Sequence, residues 1–323
     1  MGDGSGDSDN LDMPVRPGFE DQFIEGLLEY LVKEKKQWDI CRLNTLLPDS
    51  PSAVELLSRL KNRGWTVVQK QRVTSAVRLP QTWLEYQQQL SSEDRKNLER
   101  YRVRLEKRYR SRIYRCTEQS ELPDCLEALF CLHQAHWVAK GEFGSFASEQ
   151  RRKFYYDLSR ALLTRGWLEL WVLELDGKIA AVQFGFRYGT TVFQLQEGFD
   201  PARSSDRVGF LLRGQVMKEL IAEGVRKYDF LAGEPGYKAR WLAQVGSYVN
   251  VHFARPFTLG SVYLRGLDYA KEGKEWLRTR VPPAIWRLLQ KFNARRGAFQ
   301  AGGDTQPAES ASQGKPTQDA EPG

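Results

Sequence analysis

The sequence predicts an α+β protein with one mixed, mostly antiparallel sheet flanked by helices. Three observations predict this class. Residues 167–199 hold three strand-like segments separated only by short turns, which is typical of an antiparallel meander. Helix-like segments lie before and after the meander. The chain has 323 residues, of which 41% are hydrophobic, so one or two domains with a real core are expected.

The first elements form a βα-type unit. Apolar residues spaced by three and four predict a helix over 19–36, followed by a strand over 38–43. A second helix over 52–62 ends at Gly64, and a strand follows over 65–79. This unit has too few strands to close a sheet alone. Either it pairs with later strands, or the chain lacks an N-terminal portion.

A strongly basic stretch follows. Residues 83–110 are predicted to be helical, and residues 95–115 carry ten Lys or Arg side chains against two Glu. One interpretation is a basic helix that binds a phosphate-bearing donor or RNA, with Tyr101, Tyr109 and Tyr114 available for stacking. The other is a solvated helix between domains, since charge runs usually form solvated faces.

A histidine-containing helix comes next, after a strand over 112–117. The helix spans 121–140 and includes Cys131, His133 and His136. At about 100° per residue Cys131 and His133 point about 200° apart, so the helix cannot gather them around one metal ion. No metal site is therefore predicted. A packed, hydrogen-bonded histidine is favoured, and His133 is kept as a substrate-site candidate.

The remaining elements place polar residues at one sheet edge. After a helix over 149–165, the meander consists of strands over 167–175, 178–188 and 190–199. They are followed by a helix over 208–223 and strands over 227–231 and 247–254. The loop before the helix leaves backbone N–H groups aimed at one spot, which favours an anion such as a diphosphate. Glu234, Tyr237 and Lys238 reach the same edge, which indicates a donor-binding and acceptor-activating site of a transferase.

Net charge and cysteine content indicate what kind of partner the protein binds and in which compartment it lies. Residues 1–12 carry four acids and residues 304–323 a net charge of −3, so the net +7 of the chain leaves +14 on residues 13–303. This favours an anionic ligand or partner: a nucleotide cofactor, RNA or an acidic membrane surface. Four cysteines form no paired framework, and no apolar leader or membrane-spanning run is present, so a cytoplasmic location is expected.

Several motifs together resemble one family. They are Leu132-His133 with Trp137, the Leu175-Asp176-Gly177-Lys178 hairpin, Gly198-Phe199-Asp200-Pro201, Gly209, Tyr228 to Glu234, and Tyr237 to Trp241. In order and spacing they resemble the GNAT-superfamily acyltransferases named after bacterial cellulose biosynthesis (CelD-like), which are related to the FemAB aminoacyl transferases. The resemblance covers roughly residues 38–255.

The resemblance implies a GNAT-like sheet with a shortened N-terminal half-domain, and an acyl-CoA co-substrate, acetyl-CoA above all, with no permanently bound cofactor. It assigns Lys238, Glu234 and Tyr237 to catalysis. The residues implied to bind the donor are Gln196, Arg203, Ser205, Arg207, Val208 and Gly209. Those implied to contact substrate are His133, Trp137 and Trp241. One departure is that the loop 203–209 has a single glycine, and Asp206 is a candidate N-cap that would compete with a phosphate.

The expected organisation has five parts: a disordered acidic tail over 1–17, a partial N-terminal GNAT-like half-domain over 18–80, a GNAT acyltransferase domain over 81–256, C-terminal helices over 257–297 and a disordered tail over 298–323. The C-terminal helices are expected to cap the domain, with peripheral membrane contact as the alternative. The expected activity is N-acyl transfer to an amine that is a small molecule or an envelope precursor. The alternatives are an aminoacyl-tRNA-dependent transferase of FemAB type and a non-catalytic GNAT-shell binding module.

Overall fold

A computed structural model of the chain describes residues 9–139, 144–233 and 236–266. Its helices are α1 (Glu20–Lys33), α2 (Pro51–Asn62), α3 (Trp83–Gln89), α4 (Ser92–Arg108), α5 (Leu122–Ala139), α6 (Glu149–Thr164) and α7 (Val208–Ala222). Its strands are β1 (Cys41–Leu46), β2 (Thr66–Arg78), β3 (Ser111–Arg115), β4 (Leu168–Leu175), β5 (Lys178–Tyr188), β6 (Thr191–Phe199), β7 (Lys227–Ala232) and β8 (Gln244–Ala254). A 3₁₀ helix covers Gly236–Trp241.

The eight strands form one sheet in the order β1-β8-β2-β7-β6-β5-β4-β3. Every neighbouring pair is antiparallel except β6 and β7, which are parallel. The predicted α+β class with a mixed, mostly antiparallel sheet is confirmed. The N-terminal strands β1 and β2 enclose β8, so the first predicted unit pairs with later strands. The chain up to Leu264 is one compact unit, and its sheet runs without a break across the expected boundary at residue 80.

Residues 9–17, which we expected to lie in a disordered tail, pack against the sheet instead. Leu11 donates its backbone N–H to the carbonyl of Thr45 at 3.1 Å. Met13 is buried in the core of β1, β8 and the first two helices. Asp9 accepts a hydrogen bond from the Ala232 N–H at 2.9 Å, at the end of β7. The buried Met13 side chain and the hydrogen bonds to the backbone of Thr45 and Ala232 thus hold this segment against the sheet. Its acidic composition alone would suggest a free tail.

Helices cover both faces of the meander. On one face α4 and α7 pack against Trp171 and Leu173 of β4. On the other face α5 and α6 pack against Leu170 and Val172 of the same strand. Alternate side chains of β4 therefore enter two different cores, which explains why this strand is apolar on both sides. The first two helices pack on β1 and β8 in a third core.

Two elements differ from the sequence predictions. The single helical stretch expected over 83–110 is broken between α3 and α4, because Ser91 caps a new helix by accepting a hydrogen bond from the Asp94 N–H. The strand expected over 38–43 begins at Cys41. Trp38 instead donates from its indole to the carbonyl of Leu31 at 2.8 Å and stacks near Trp65. Of the C-terminal helices predicted over 257–297, residues 259–266 are helical. Residues 267–297 and the tail over 298–323 lie outside the described residues.

We expect Gly198→Ala to destabilise the protein by about 1–3 kcal/mol, because overpacking forces the backbone to shift. A Cβ at Gly198 on β6 would lie 2.7 Å from the backbone nitrogen of His133 and 3.1 Å from the carbonyl oxygen of Leu129, both on α5. The measurement is urea unfolding. Gly26→Ala is the control: Gly26 lies inside α1 with no atom within 4 Å of its added Cβ, so this variant should gain about 0.5–1 kcal/mol. Equal stability of Gly198→Ala and the wild type would contradict the packing described here.

Candidate active site

The site begins where β6 and β7 part. These parallel strands pair only over Thr191–Phe193 and Lys227–Asp229. Beyond that point β6 continues to Phe199 and β7 to Ala232 without pairing with each other. Tyr228, which is buried, donates its hydroxyl to the side-chain oxygen of Gln194 at 3.1 Å and ties the strands together just before they separate. The separation leaves an open wedge in the middle of the sheet.

A bulge turns β7 away from β6. The register against β2 shifts between Thr74 and Ala76, where β7 holds one extra residue. Leu231 adopts a φ of 59°, which is rare for a residue with a branched side chain. The Asp229 carboxylate compensates by accepting the Leu231 N–H at 2.8 Å. The side chain of a buried acid therefore fixes the bend that carries the chain towards residues 236–241.

A second bulge, in β6, decides which side chains face the wedge. The register against β5 shifts between Phe184 and Gly185, which are opposite Gln196 and Gln194. The extra residue interrupts the alternation of side chains along β6. As a result Gly198 faces α5, whereas Glu197 contacts Tyr237, beyond β7, and α7.

The N-terminus of α7 is left uncapped. Its N-cap residue, Arg207, has the left-handed backbone angles φ 56° and ψ 36° and makes no side-chain cap. Asp206, which we considered as a cap, points elsewhere: its buried carboxylate pairs with Arg104 at 3.1 Å and Arg108 at 3.0 Å and accepts the Tyr109 hydroxyl at 3.0 Å. It does not compete for the N–H groups of the first turn, because α4 supplies it with stronger, charged partners.

A cavity of ≈460 Å³ lies at the wedge, beside this helix start. Its described lining residues come from α5, β6, α7, the loop before α7 and the 3₁₀ helix: His136, Glu197, Phe199, Ser204, Arg207, Val208, Gly209, Phe210, Arg213, Tyr237, Arg240 and Trp241. Of the predicted site residues, Arg207, Val208, Gly209, Tyr237 and Trp241 are therefore brought together. The cavity has aromatic walls, charged groups and an exposed helix N-terminus in one place.

Glu197, Arg213 and Tyr237 form the polar centre of the cavity. Glu197 pairs with Arg213 and accepts the Tyr237 hydroxyl at 3.1 Å. Arg213 is 4% exposed, and its guanidinium carbon lies 4.8 Å from the ring centre of Tyr237. Burial opposes its charge, but the neighbouring Glu197 raises the pKa of Arg213. Its Nε–H has no hydrogen-bond partner among the described residues.

The same neighbours keep Tyr237 protonated. Tyr237 is 46% exposed, and partial burial together with the Glu197 carboxylate raises its pKa above the ordinary value. A neutral phenol can donate a proton, whereas a phenolate cannot. The sequence does not single out Glu197 or Arg213, because no local pattern predicts the β6 bulge or the packing of α7 over it.

Lys238 lies beneath the cavity and does not line it among the described residues. It is 6% exposed, and its Nζ lies 5.8 Å from the ring centre of Phe230. Burial lowers its pKa, and Arg213 lowers it further, while the charges of Glu197, Asp229 and Asp9 act against that shift. Lys238 is thus a buried cation close to Glu197 and Arg213 of the cavity. Glu234, the other predicted catalytic residue beside Tyr237, lies outside the described residues.

The two histidines of α5 have different surroundings. His133 is buried; it accepts the indole N–H of Trp137 at 2.9 Å and packs edge-on against Phe146 at 4.9 Å. His136 lines the cavity, and its ring centre lies 4.9 Å from that of Phe199. His133 and Trp137, predicted to contact substrate, do not line the cavity. His133 is turned by about 60° from His136 around α5 and packs on Phe146 instead.

The other predicted donor-binding residues lie off the cavity. Gln196 faces α5 and lies beside His133. Arg203 pairs with Asp200 at 3.5 Å and stacks over the Tyr109 ring at 4.8 Å. Ser205 is exposed, and its neighbour Ser204 lines the cavity instead. Residues 201–206 form a 3₁₀ helix, in which consecutive side chains point about 120° apart. Ser204 therefore faces the cavity while Ser205 does not.

Several arginines of the basic stretch pair with carboxylates of this chain. Arg102 pairs with Glu99 and Glu106, both at 2.7 Å, along the surface of α4. Arg104 and Arg108 hold Asp206 as described above. Within the described ranges no group of three or more His, Cys, Asp or Glu side chains could hold a metal ion. Among the helices described here, none combines the length and the apolar character needed to cross a membrane.

Comparison with known proteins finds a match to one domain family over part of the chain. Residues 92–239 match the family model of the acetyltransferase (GNAT) domain. No curated protein matches the chain. Among solved structures, FemX has a TM-score of 0.55 at 11% identity, covering 79% of this chain and 84% of FemX. A conserved protein of unknown function from Bacteroides thetaiotaomicron has a TM-score of 0.51 at 17% identity, covering 75% and 78%. The two structures share the fold of this chain, and the match to the GNAT domain model supports an acyltransferase.

We expect His133 to make stability depend on pH. Burial, with Arg151 and His136 nearby, lowers its pKa to about 4 from 6.5. Because the unfolded chain then binds more protons between these values, the contribution of His133 is complete above pH 6.5 and is lost as pH falls towards 4. A shift of this size corresponds to about 3 kcal/mol. Urea unfolding of the wild type and His133→Gln across this range should give a shallower decline for the variant. Identical declines would show that His133 is not buried in its neutral form.

Proposed function

We propose that this acyltransferase moves an acyl group, with acetyl as the expected one, from acyl-CoA to a primary amine. The observation that carries the proposal is one cavity combining the bare N-terminus of α7 with the hydrogen-bonded pair Glu197 and Tyr237. A helix N-terminus favours the diphosphate of CoA, because free N–H groups and the helix dipole both attract negative charge. The carboxylate and phenol suit the two proton transfers of thioester aminolysis.

The proposed chemistry balances within that pair. The amine nitrogen attacks the thioester carbonyl carbon, and the carbon–sulfur bond breaks to give an amide and a thiolate. Glu197 takes the proton released by the amine, directly or through a water, and Tyr237 gives its hydroxyl proton to the thiolate. Because the Tyr237 oxygen lies 3.1 Å from Oε1 of Glu197, the proton held by the carboxyl group can then return to Tyr237. The products are the amide and the CoA thiol.

The other residues support this reaction in our proposal. Arg213 holds the Glu197 carboxylate in place through their ion pair. Lys238, whose catalytic role was predicted from sequence, acts as a buried counter-charge that holds the 3₁₀ helix carrying Tyr237 against Asp9 and Asp229. Glu234 stays a predicted base from sequence alone. Trp241 and His136 are the proposed walls for the acceptor.

The acceptor class is also proposed. Resemblance to the CelD-like acyltransferases supports an amine from polysaccharide or cell-envelope metabolism. An aminoacyl-tRNA donor would bind to the basic stretch. Three arginines of that stretch, Arg102, Arg104 and Arg108, already pair with carboxylates of this chain, and this favours CoA as the donor. A non-catalytic binding module would have no need for the Glu197–Tyr237 pair.

Binding of the donor is tested first. Acetyl-CoA at 100 times its Kd should stabilise the native protein by about 2.7 kcal/mol, because a ligand selective for the native state raises its stability. The readout is the midpoint of thermal unfolding. The proposal would be overturned if neither acetyl-CoA nor CoA raised the unfolding midpoint. A rise produced by aminoacyl-tRNA alone would show that aminoacyl-tRNA, and not acyl-CoA, is the donor.

Catalysis is tested with Glu197→Gln. We expect kcat to fall about 100-fold or more, because removal of a general base costs this much, while acetyl-CoA still raises the unfolding midpoint. The assay follows release of the CoA thiol with a panel of glucosamine, lysine and spermidine. Glu219→Gln is the matched control, since Glu219 lies on α7, is not among the residues that line the cavity, and its carboxylate accepts a hydrogen bond from Gln215. Undiminished turnover in Glu197→Gln would remove its assigned role.

A further inference from the structure

A second groove adjoins the cavity on the α4 side. It measures ≈280 Å³ and lies between the first half of α4, the start of α7 and the 3₁₀ helix. Its described lining residues are Glu93, Asp94, Asn97, Arg100, Tyr101, Arg207, Phe210 and Arg240. Three of them, Arg207, Phe210 and Arg240, also line the cavity, so the two spaces are contiguous.

Two guanidinium groups of this groove have no carboxylate partner. Arg100 donates to the Asn97 side-chain oxygen at 2.7 Å and to the Tyr101 hydroxyl at 3.2 Å. Arg207 reaches the same hydroxyl. Neither forms an ion pair with any described residue. Two cations from different elements therefore converge on one neutral oxygen, an arrangement that leaves their charge uncompensated.

The carboxylates of the groove do not cancel this charge. Asp94 is held by Arg240, at 3.1 Å from Nε and 2.5 Å from Nη2, and accepts the Ser91 hydroxyl at 2.7 Å. Its charge is thus already matched by Arg240. Glu93 is exposed in the first turn of α4, where water screens it. The uncompensated charge is confined to Arg100 and Arg207.

We propose that this groove binds the ribose 3′-phosphate of CoA through Arg100 and Arg207. The inference rests on the proposed function and extends it. CoA carries a diphosphate and, separately, a phosphomonoester on its ribose. The start of α7 accounts for the diphosphate, and the dianionic monoester needs cations of its own next to it. Arginine suits this group because its planar fork matches two phosphate oxygens at once.

The test compares CoA with 3′-dephospho-CoA. These ligands differ only in the phosphomonoester, so a dedicated subsite should make the wild type bind CoA at least about tenfold more tightly, as for one charge-assisted hydrogen bond. Titration calorimetry gives both affinities. Equal affinity for the two ligands would overturn the inference and leave the proposed function intact, whereas binding of neither would overturn the proposed function itself.

Arg100→Gln locates the effect. We expect this variant to lose most of the preference for CoA over dephospho-CoA, the remainder being due to Arg207, while it binds dephospho-CoA as tightly as the wild type does. Arg102→Gln is the matched control on the same helix, because its guanidinium is paired with Glu99 and Glu106. It should keep the wild-type preference. A preference that persists in Arg100→Gln, or that disappears equally in Arg102→Gln, would contradict the assignment.

Discussion

The parting of β6 and β7 is the constraint on which the site depends. After three residue pairs the strands share no further ladder, and the Tyr228–Gln194 hydrogen bond fixes where the parting begins. The bulge in β7 then has to hold Leu231 at a positive φ, a conformation that costs of order 1–3 kcal/mol. The buried Asp229 carboxylate offsets part of this cost by accepting the Leu231 N–H. The side chains of Tyr228, Gln194 and Asp229 thus keep the two strands apart, and the cavity lies in the space between them.

Charge is distributed so that few cations are left uncompensated near the cavity. The chain is basic, yet Arg104 and Arg108 hold Asp206, and Arg240 holds Asp94. The Asp206 contacts also hold this carboxylate, which immediately precedes the N-cap residue, away from the start of α7, and this leaves the helix N-terminus to an external anion. Neutralisation within the chain therefore has a local consequence: it concentrates attraction for anions at the helix start and its neighbouring groove.

The buried ion pair of Glu197 and Arg213 links the sheet to the helix above it. Removing two charges from water is costly unless they are well paired, and here the aromatic rings of Tyr237 and Trp241 enclose Arg213 as well. The ion pair holds the Glu197 carboxylate in one position in the cavity. A fixed position favours proton transfer, because the carboxylate does not have to be oriented before it reacts. The buried Lys238 adds a third charge that acts on this pair.

The sequence by itself determined the element order, the antiparallel meander and the helix start near Val208. These depend on local patterns: periodicity, turn residues and caps act within a few residues of each other. The same local patterns placed Tyr237 and Trp241 near that helix start. They also predicted one long helix where Ser91 starts a second one, and a free acidic tail where Asp9 and Met13 are held by the sheet.

Tertiary structure alone decided which side chains enter the cavity. The extra residue in β6 interrupts the alternation of its side chains, so that Glu197 points into the wedge. The rotation along α5 directs His136, and not His133, into the cavity. Asp206 left the helix start because α4, about a hundred positions away in sequence, supplied its partners. A bulge and long-range ion pairs depend on contacts between segments far apart in the chain, and no pattern within one segment records them.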